Sequence, residues 1–244
     1  MTERPPSAAV LVLHGGHESG TEPPPPGLLN LPGVRMRPFV RALRRATRAH
    51  EGGTEVLVRQ VRYVHRGWNG ARADAFHDAV SALDALAGEA GDIPVVLLGH
   101  SMGARAALRA AGHPFVRGVV GLAPWCPPGD PVTQLAGRDV VLVHSSRDRV
   151  TSPQATQSLT ARARRAGART CMVTVRGGDH AMIRRAPAWH HLATALVTGL
   201  LGTTPLPGPV STALGLPPNA EATEGTLDLD RLRADRGAGL LPSP

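Results

Sequence analysis

Six short runs rich in valine and leucine punctuate the first three-quarters of the chain: AAVLVL (8–13), EVLVRQVRY (55–63), PVVLLGH (94–100), VRGVVGLAP (116–124), DVVLVHS (139–145) and RTCMVTVRG (169–177). At this length and valine content they predict buried strands rather than short helices. Segments with helical periodicity lie among and after them, at about 36–50, 71–90, 102–112, 153–166 and 186–201. In the second of these, Ala75, Ala79, Leu83 and Leu86 recur on one face. Strands alternating with helices must cross over to pair side by side. The expected fold is therefore α/β, with a mainly parallel sheet of about six strands flanked by helices on both faces.

The 244 residues suit one domain with a tail, and a hydrophobic share of 42% is enough for its core. We expect the domain over residues 1–202. Residues 203–244 are rich in Pro, Gly and Thr and are expected to form a loosely packed or disordered tail. GHESGTEPPPPGLLNLPG (16–33) follows the first strand, and its four consecutive prolines predict an extended surface loop.

The net charge of +8 raises the question of nucleic acid. All 27 basic residues are arginine, and aromatics make up only 3% of the chain, too few for base-stacking platforms. No nucleic-acid partner is expected. No apolar run approaches the ~20 residues of a membrane span, and AAVLVL is shorter than the core of an export signal. No membrane partner is expected either, and the expected location is cytoplasmic. Cys126 and Cys171 are too few for a disulfide framework.

Gly99-His100-Ser101-Met102-Gly103 sits between a strand run and a helix run. A serine presented on so tight a turn needs neighbours without side chains two positions away on each side, and glycine meets that need. Such a turn lifts the hydroxyl above the carboxyl ends of the strands, beside the free N–H groups of the following helix. A serine attacks only when a base takes its proton and a third group holds the base. Asp148, in SSRDRV, and His180, in GGDHAM, each lie just past a strand end. Asp179 adjoins His180 but is poorly placed to face it, and Asp139 starts its strand, on the opposite sheet edge. His14, His100 and His144 also flank strand ends and are read as packed or hydrogen-bonding residues, while His190 and His191 fall within the last helix and are read as structural or exposed. Acyl transfer further needs two donors for the developing oxyanion. One is the backbone N–H of Met102; the other belongs to the His14-Gly15-Gly16-His17 turn, with Gly16 first and His17 second.

With HGG, GHSMG, SSRDRV and GGDH in this order, the chain resembles the α/β-hydrolase superfamily over about residues 8–201. The resemblance implies a catalytic triad of Ser101, His180 and Asp148, an oxyanion hole from Met102 and Gly16, and no metal or organic cofactor. It implies a serine hydrolase that cleaves a carboxylic ester, thioester or lactone of a small-molecule acyl substrate through an acyl-enzyme. The alternatives are a non-catalytic binding domain of the same fold, or an acyl transferase, cyclase or lyase using the same residues. Only WCPPGDPVTQLAGR separates the fourth and fifth strands, so no helical lid is expected there. His17, Trp68 and Trp125 follow strand ends on the same edge and are the candidates for a substrate pocket.

Overall fold

Each of the six valine-rich runs becomes a strand in the computed structural model, which describes residues 6–48 and 55–234. They are β1 (Ala8–Leu13), β2 (Val56–Gln60), β3 (Val95–His100), β4 (Val116–Leu122), β5 (Asp139–Ser145) and β6 (Arg169–Val175). A seventh, β7 (Thr226–Asp228), completes one sheet of order β2-β1-β3-β4-β5-β6-β7, and every neighbouring pair is parallel. Both faces are covered, so the strands are apolar along both side-chain rows instead of alternating with polar residues.

The rows divide between two cores. Val10, Val12, Val96, Leu98, Val141 and Val143 face one side, where they meet α1 (Leu31–Ala46) and α5 (Ala186–Leu200). Ala9, Leu11, Leu13, Leu97, Val140 and Leu142 face the other. There they meet α2 (Asp74–Ala90), α3 (Met102–Ala110) and α4 (Pro153–Arg165). The four α2 residues expected on one face, Ala75, Ala79, Leu83 and Leu86, are its buried positions. Helix α1 begins earlier than the periodicity suggests because the Asn30 side chain accepts from the Gly33 amide and Pro32 sits in the first turn. The 3₁₀ turn Thr133–Leu135 is the one regular element between β4 and β5, and no helical lid is inserted there.

The tail is where the structure departs from expectation. Of residues 203–244, the described part is folded onto the domain: α6 (Gly208–Leu214), β7 and α7 (Leu229–Ala234). Val210, Ala213, Leu214, Leu229 and Leu232 are buried against β6 and α5. Residues 235–244 lie outside the described region. The apolar residues here are too sparse to show a period, but they cover a specific need. Without β7, strand β6 would expose a row of unpaired backbone groups. Buried Arg164 donates to the carbonyls of Thr170 and Glu221, and the Met172 amide donates to Gly225, pinning the returning chain. The domain therefore extends beyond 202, and the sheet has one strand more than the six expected. Leu229→Ala should cost about 2–5 kcal/mol of stability, as a deleted core leucine does, whereas a loosely packed tail would leave the urea midpoint unchanged.

Candidate active site

Strand order reverses between β1 and β3, because β2 lies outside β1 while the chain proceeds from β3 in the other direction. Such a reversal splays the following connections apart and opens a crevice at the carboxyl ends of the strands. The turn after β1 carries His14–His17 and the turn after β3 carries Ser101. The two turns touch: a Cβ on Gly15 would lie 3.4 Å from the Ser101 Cβ.

Ser101 has φ 54° and ψ −118°, a strained conformation for a residue with a side chain. The flanking glycines are sterically required. A Cβ at Gly99 would meet the Gly103 carbonyl at 2.4 Å, and one at Gly103 would meet the Leu13 and His14 carbonyls at 2.4 Å. The turn is tied down by its backbone. The Ser101 N–H donates to the Leu122 carbonyl, and the Ser101 carbonyl accepts from Ala104, Arg105 and Trp125.

Ser101, His180 and Asp148 converge in one hydrogen-bonded line. His180 Nε2 lies 3.1 Å from Ser101 Oγ, and His180 Nδ1 lies 2.8 Å from Asp148 Oδ2. The carboxylate only accepts, so Nδ1 carries the ring proton and Nε2 is left free to accept from the hydroxyl. Burial penalises the Asp148 charge, but side-chain donors His144 and His180 and the amides of Thr151 and Val150 outweigh it. Its carboxyl is held well below the usual range. Thr151 Oγ1 adds a contact to Oδ2 at 3.1 Å.

The other sequence candidates separate cleanly. Asp179 Oδ1 accepts the amides of Ile183 and Arg184, shaping the turn after His180, and Asp139 pairs with Arg169 at the far sheet edge. His14 stacks against Tyr63, and His190 meets Phe39 edge-on. His191 is exposed on α5. His100 is 1% exposed and donates from Nε2 to the His180 carbonyl at 2.9 Å. Burial, helped by the nearby His180, pushes its pKa down to about 3, so it anchors the His180 turn as a neutral ring.

Neither the Met102 nor the Gly16 backbone N–H has a backbone acceptor among the described residues. The His17 amide is committed to the Arg66 carbonyl at 3.0 Å, which removes it as a donor. Gly16 has no room for a side chain, since a Cβ would lie 2.6 Å from the Arg66 carbonyl and 2.3 Å from the Met102 methyl.

The pocket candidates fare differently. The His17 side chain is exposed beside the crevice. Trp68, expected to line a pocket, is instead 2% exposed: its ring packs edge-on against Trp125, and the Arg105 guanidinium lies 4.0 Å from its centre. Arg105 also lies 4.4 Å from the Trp125 ring and forms a bidentate pair with Asp130 at 2.6 and 2.7 Å. Trp68 thus braces two loops against α3, and only half-buried Trp125 keeps a face toward solvent. Sequence reasoning missed this cluster, whose one readable signal was Arg105 standing four residues after Ser101. Among the described residues no group of three or more His, Cys, Asp or Glu side chains is arranged to hold a metal, and no helix is long and apolar enough to cross a membrane.

The Asp148 environment sets a sign for acid stability. A carboxyl depressed in the folded state contributes stability that is present above its unfolded value, near 4, and is lost as the pH falls. Asp148→Asn should therefore be less stable than the parent protein at pH 7, with the gap narrowing below about pH 4. Urea denaturation at pH 7 and pH 3 measures it, and a gap of constant size would contradict the assignment.

No protein-family model matches the chain, and no curated protein matches it. Solved structures do. An α/β serine hydrolase homologue from Coxiella burnetii is 15% identical, with TM-score 0.55 over 80% of this chain and 88% of that one. An esterase domain from Rhodothermus marinus is 19% identical, with TM-score 0.54 over 82% and 89%. A peroxisomal α/β-hydrolase from Saccharomyces cerevisiae is 12% identical, with TM-score 0.57 over 99% and 87%. At these identities the likeness is one of architecture, and the architecture is the α/β-hydrolase fold.

Proposed function

We propose that the protein is a serine hydrolase that cleaves a carboxylic ester, thioester or lactone through an acyl-enzyme on Ser101. The observation that carries this reading is the line Ser101 Oγ–His180–Asp148 built on a strained turn, at 3.1 and 2.8 Å. Strain of this kind costs of order 1–3 kcal/mol and is retained where the surrounding structure imposes it. A binding module has no evident use for it.

In the first half of the reaction His180 Nε2 takes the Ser101 proton as Oγ bonds to the acyl carbon. The imidazolium that forms is stabilised by Asp148. Negative charge appears on the former carbonyl oxygen, where the Met102 and Gly16 amides donate to it, each worth roughly 3 kcal/mol of barrier. Collapse breaks the bond to the leaving group, which takes the proton back from Nε2. Water then enters, gives its proton to His180 and releases the acid by the same steps in reverse order. No residue in this sequence requires a cofactor.

The surroundings favour an apolar acyl or alcohol portion. Among the described residues, the exposed large hydrophobic side chains are Leu28, Leu29, Leu31, Val64, Val150 and Ile183. All six lie in connections that follow the carboxyl ends of strands, on the same edge as Ser101. Three of these connections reach the site directly. Asn30 contacts the His14 ring, the Val150 amide donates to Asp148, and Ile183 follows His180 by three residues. Each methylene such a rim covers contributes up to ~0.8 kcal/mol.

A fluorophosphonate should add once to the parent protein and not to Ser101→Ala, as read by intact mass. Ester hydrolysis in Ser101→Ala should fall by roughly 10⁴-fold or more. An unlabelled, well-folded parent protein would remove the reading. Across p-nitrophenyl esters, kcat/KM should rise by roughly tenfold from acetate to hexanoate, in keeping with a partly buried chain, and Ile183→Asp should flatten that rise.

A further inference from the structure

We infer that His144 is a positioning residue for the reaction, acting on Asp148 from the side opposite His180; this rests on the hydrolase reading above. His144 lies near the end of β5 and is fully buried. Both ring nitrogens of this buried imidazole have hydrogen-bond partners. Its Nε2 is 3.1 Å from Asp148 Oδ2, the same oxygen that accepts from His180. Its Nδ1 is 2.8 Å from Thr156 Oγ1, on α4.

The proton placement follows from the partners. Asp148 accepts only, so His144 Nε2 carries hydrogen, and Nδ1 accepts from the Thr156 hydroxyl. Burial pushes the Cys126 thiol up to about 12, so it stays protonated and can donate to Thr156 Oγ1, 3.8 Å away. The chain therefore runs from Cys126 through Thr156 and His144 to the carboxylate, with the Ser152 carbonyl, 3.4 Å from Thr156 Oγ1, the longer alternative acceptor for that hydroxyl. Such a set of fixed dipoles aligns an acceptor in the way that outer partners align metal-ligating histidines.

Two consequences separate this role from packing. A donor on Oδ2 fixes the direction in which that oxygen meets His180, and hence the ring orientation at Ser101. It also takes up part of the carboxylate charge. Removing it leaves Asp148 a stronger acceptor toward His180 and favours the protonated imidazole, so the acid limb of kcat/KM moves to higher pH. The charged and titratable groups around Asp148 and His144 are His180 after β6, His100 at the end of β3 and Cys126 after β4. Arg105, Asp130 and Arg162 act on Cys126 from beyond, and Arg35 acts on His100.

The test compares the parent protein, His144→Phe and His144→Gln by pH profiles of ester hydrolysis, with fluorophosphonate labelling alongside. His144→Phe should lose about tenfold in kcat/KM, the lower range for loss of an outer-shell partner, and its acid limb should move up by roughly half a unit. His144→Gln, which keeps an N–H able to reach Oδ2, should return the limb toward the parent position. A folded His144→Phe with the parent's rate and limb overturns the role. So does a limb shift that His144→Gln fails to reverse. Should His144→Phe not fold, the ring tautomer of the parent protein decides: long-range ¹H–¹⁵N spectra should show His144 protonated on Nε2 only, and protonation on Nδ1 alone overturns the inference. An unlabelled parent protein signals failure of the hydrolase reading instead, so the two failures are distinguishable.

Discussion

The close approach of α3 to strands β1 and β3 governs the whole crevice. With no Cβ at Gly99 or Gly103, the first turn of α3 sits against the carbonyls of Leu13 and His14 at distances that no other residue allows. That contact brings the HGG turn beside Ser101. It also forces φ 54° on Ser101. The strain is not confined to the serine. Each of the six non-glycine residues with positive φ among those described lies in a connection following a strand end: Asn69, Ala73, Ser101, Ala123, Met182 and Arg185. The opposite sheet edge has none. Backbone held in such conformations persists where the surrounding structure imposes it, and here that is the edge that carries Ser101.

Much of this was legible in the chain because steric requirements leave marks in sequence. A strand buried on both faces must be apolar throughout, and β1, β3 and β5 were plain for that reason. A serine on a tight turn needs its two glycines, and the spacing of GHSMG carries that requirement directly. The line from Ser101 to Asp148 was readable because each member follows the end of its own strand. What stayed hidden depends on contacts between distant residues. β7 has only three residues, and its pairing to β6 is dictated by an edge that needs covering rather than by its own composition. Trp68 looked like a pocket residue because it follows a strand end, yet Arg105 draws it inward. Nothing in the sequence of either residue specifies that pairing.

The Arg105 cluster ties two connections at the carboxyl edge to α3. Loops at the carboxyl edge have few backbone partners and tend to move. Here the guanidinium is nearly buried, with 12% of its side chain exposed, and it is satisfied on several sides by Asp130 and two indole faces. Taking a charge out of water is costly unless its partners are complete, and a bidentate carboxylate nearly completes them. The connections after β2 and β4 are thereby tied to α3, the helix that begins directly after Ser101. The wall of the crevice and Ser101 thus share one support.

Asp148 supplies the matching support on the other side. Its two oxygens accept from His144, His180, Thr151 and two backbone amides, so the carboxylate has almost no freedom to rotate. A hydrogen bond to His180 alone would set a distance but leave the ring free to swing about it. The added donors set the direction as well, and the His100 contact to the His180 carbonyl fixes the backbone from which the ring extends. Position and direction are then determined from three strand ends, β3, β5 and β6, which the sheet holds in register. In the proposed reaction an imidazole held in this way would need little reorganisation when charge develops on it.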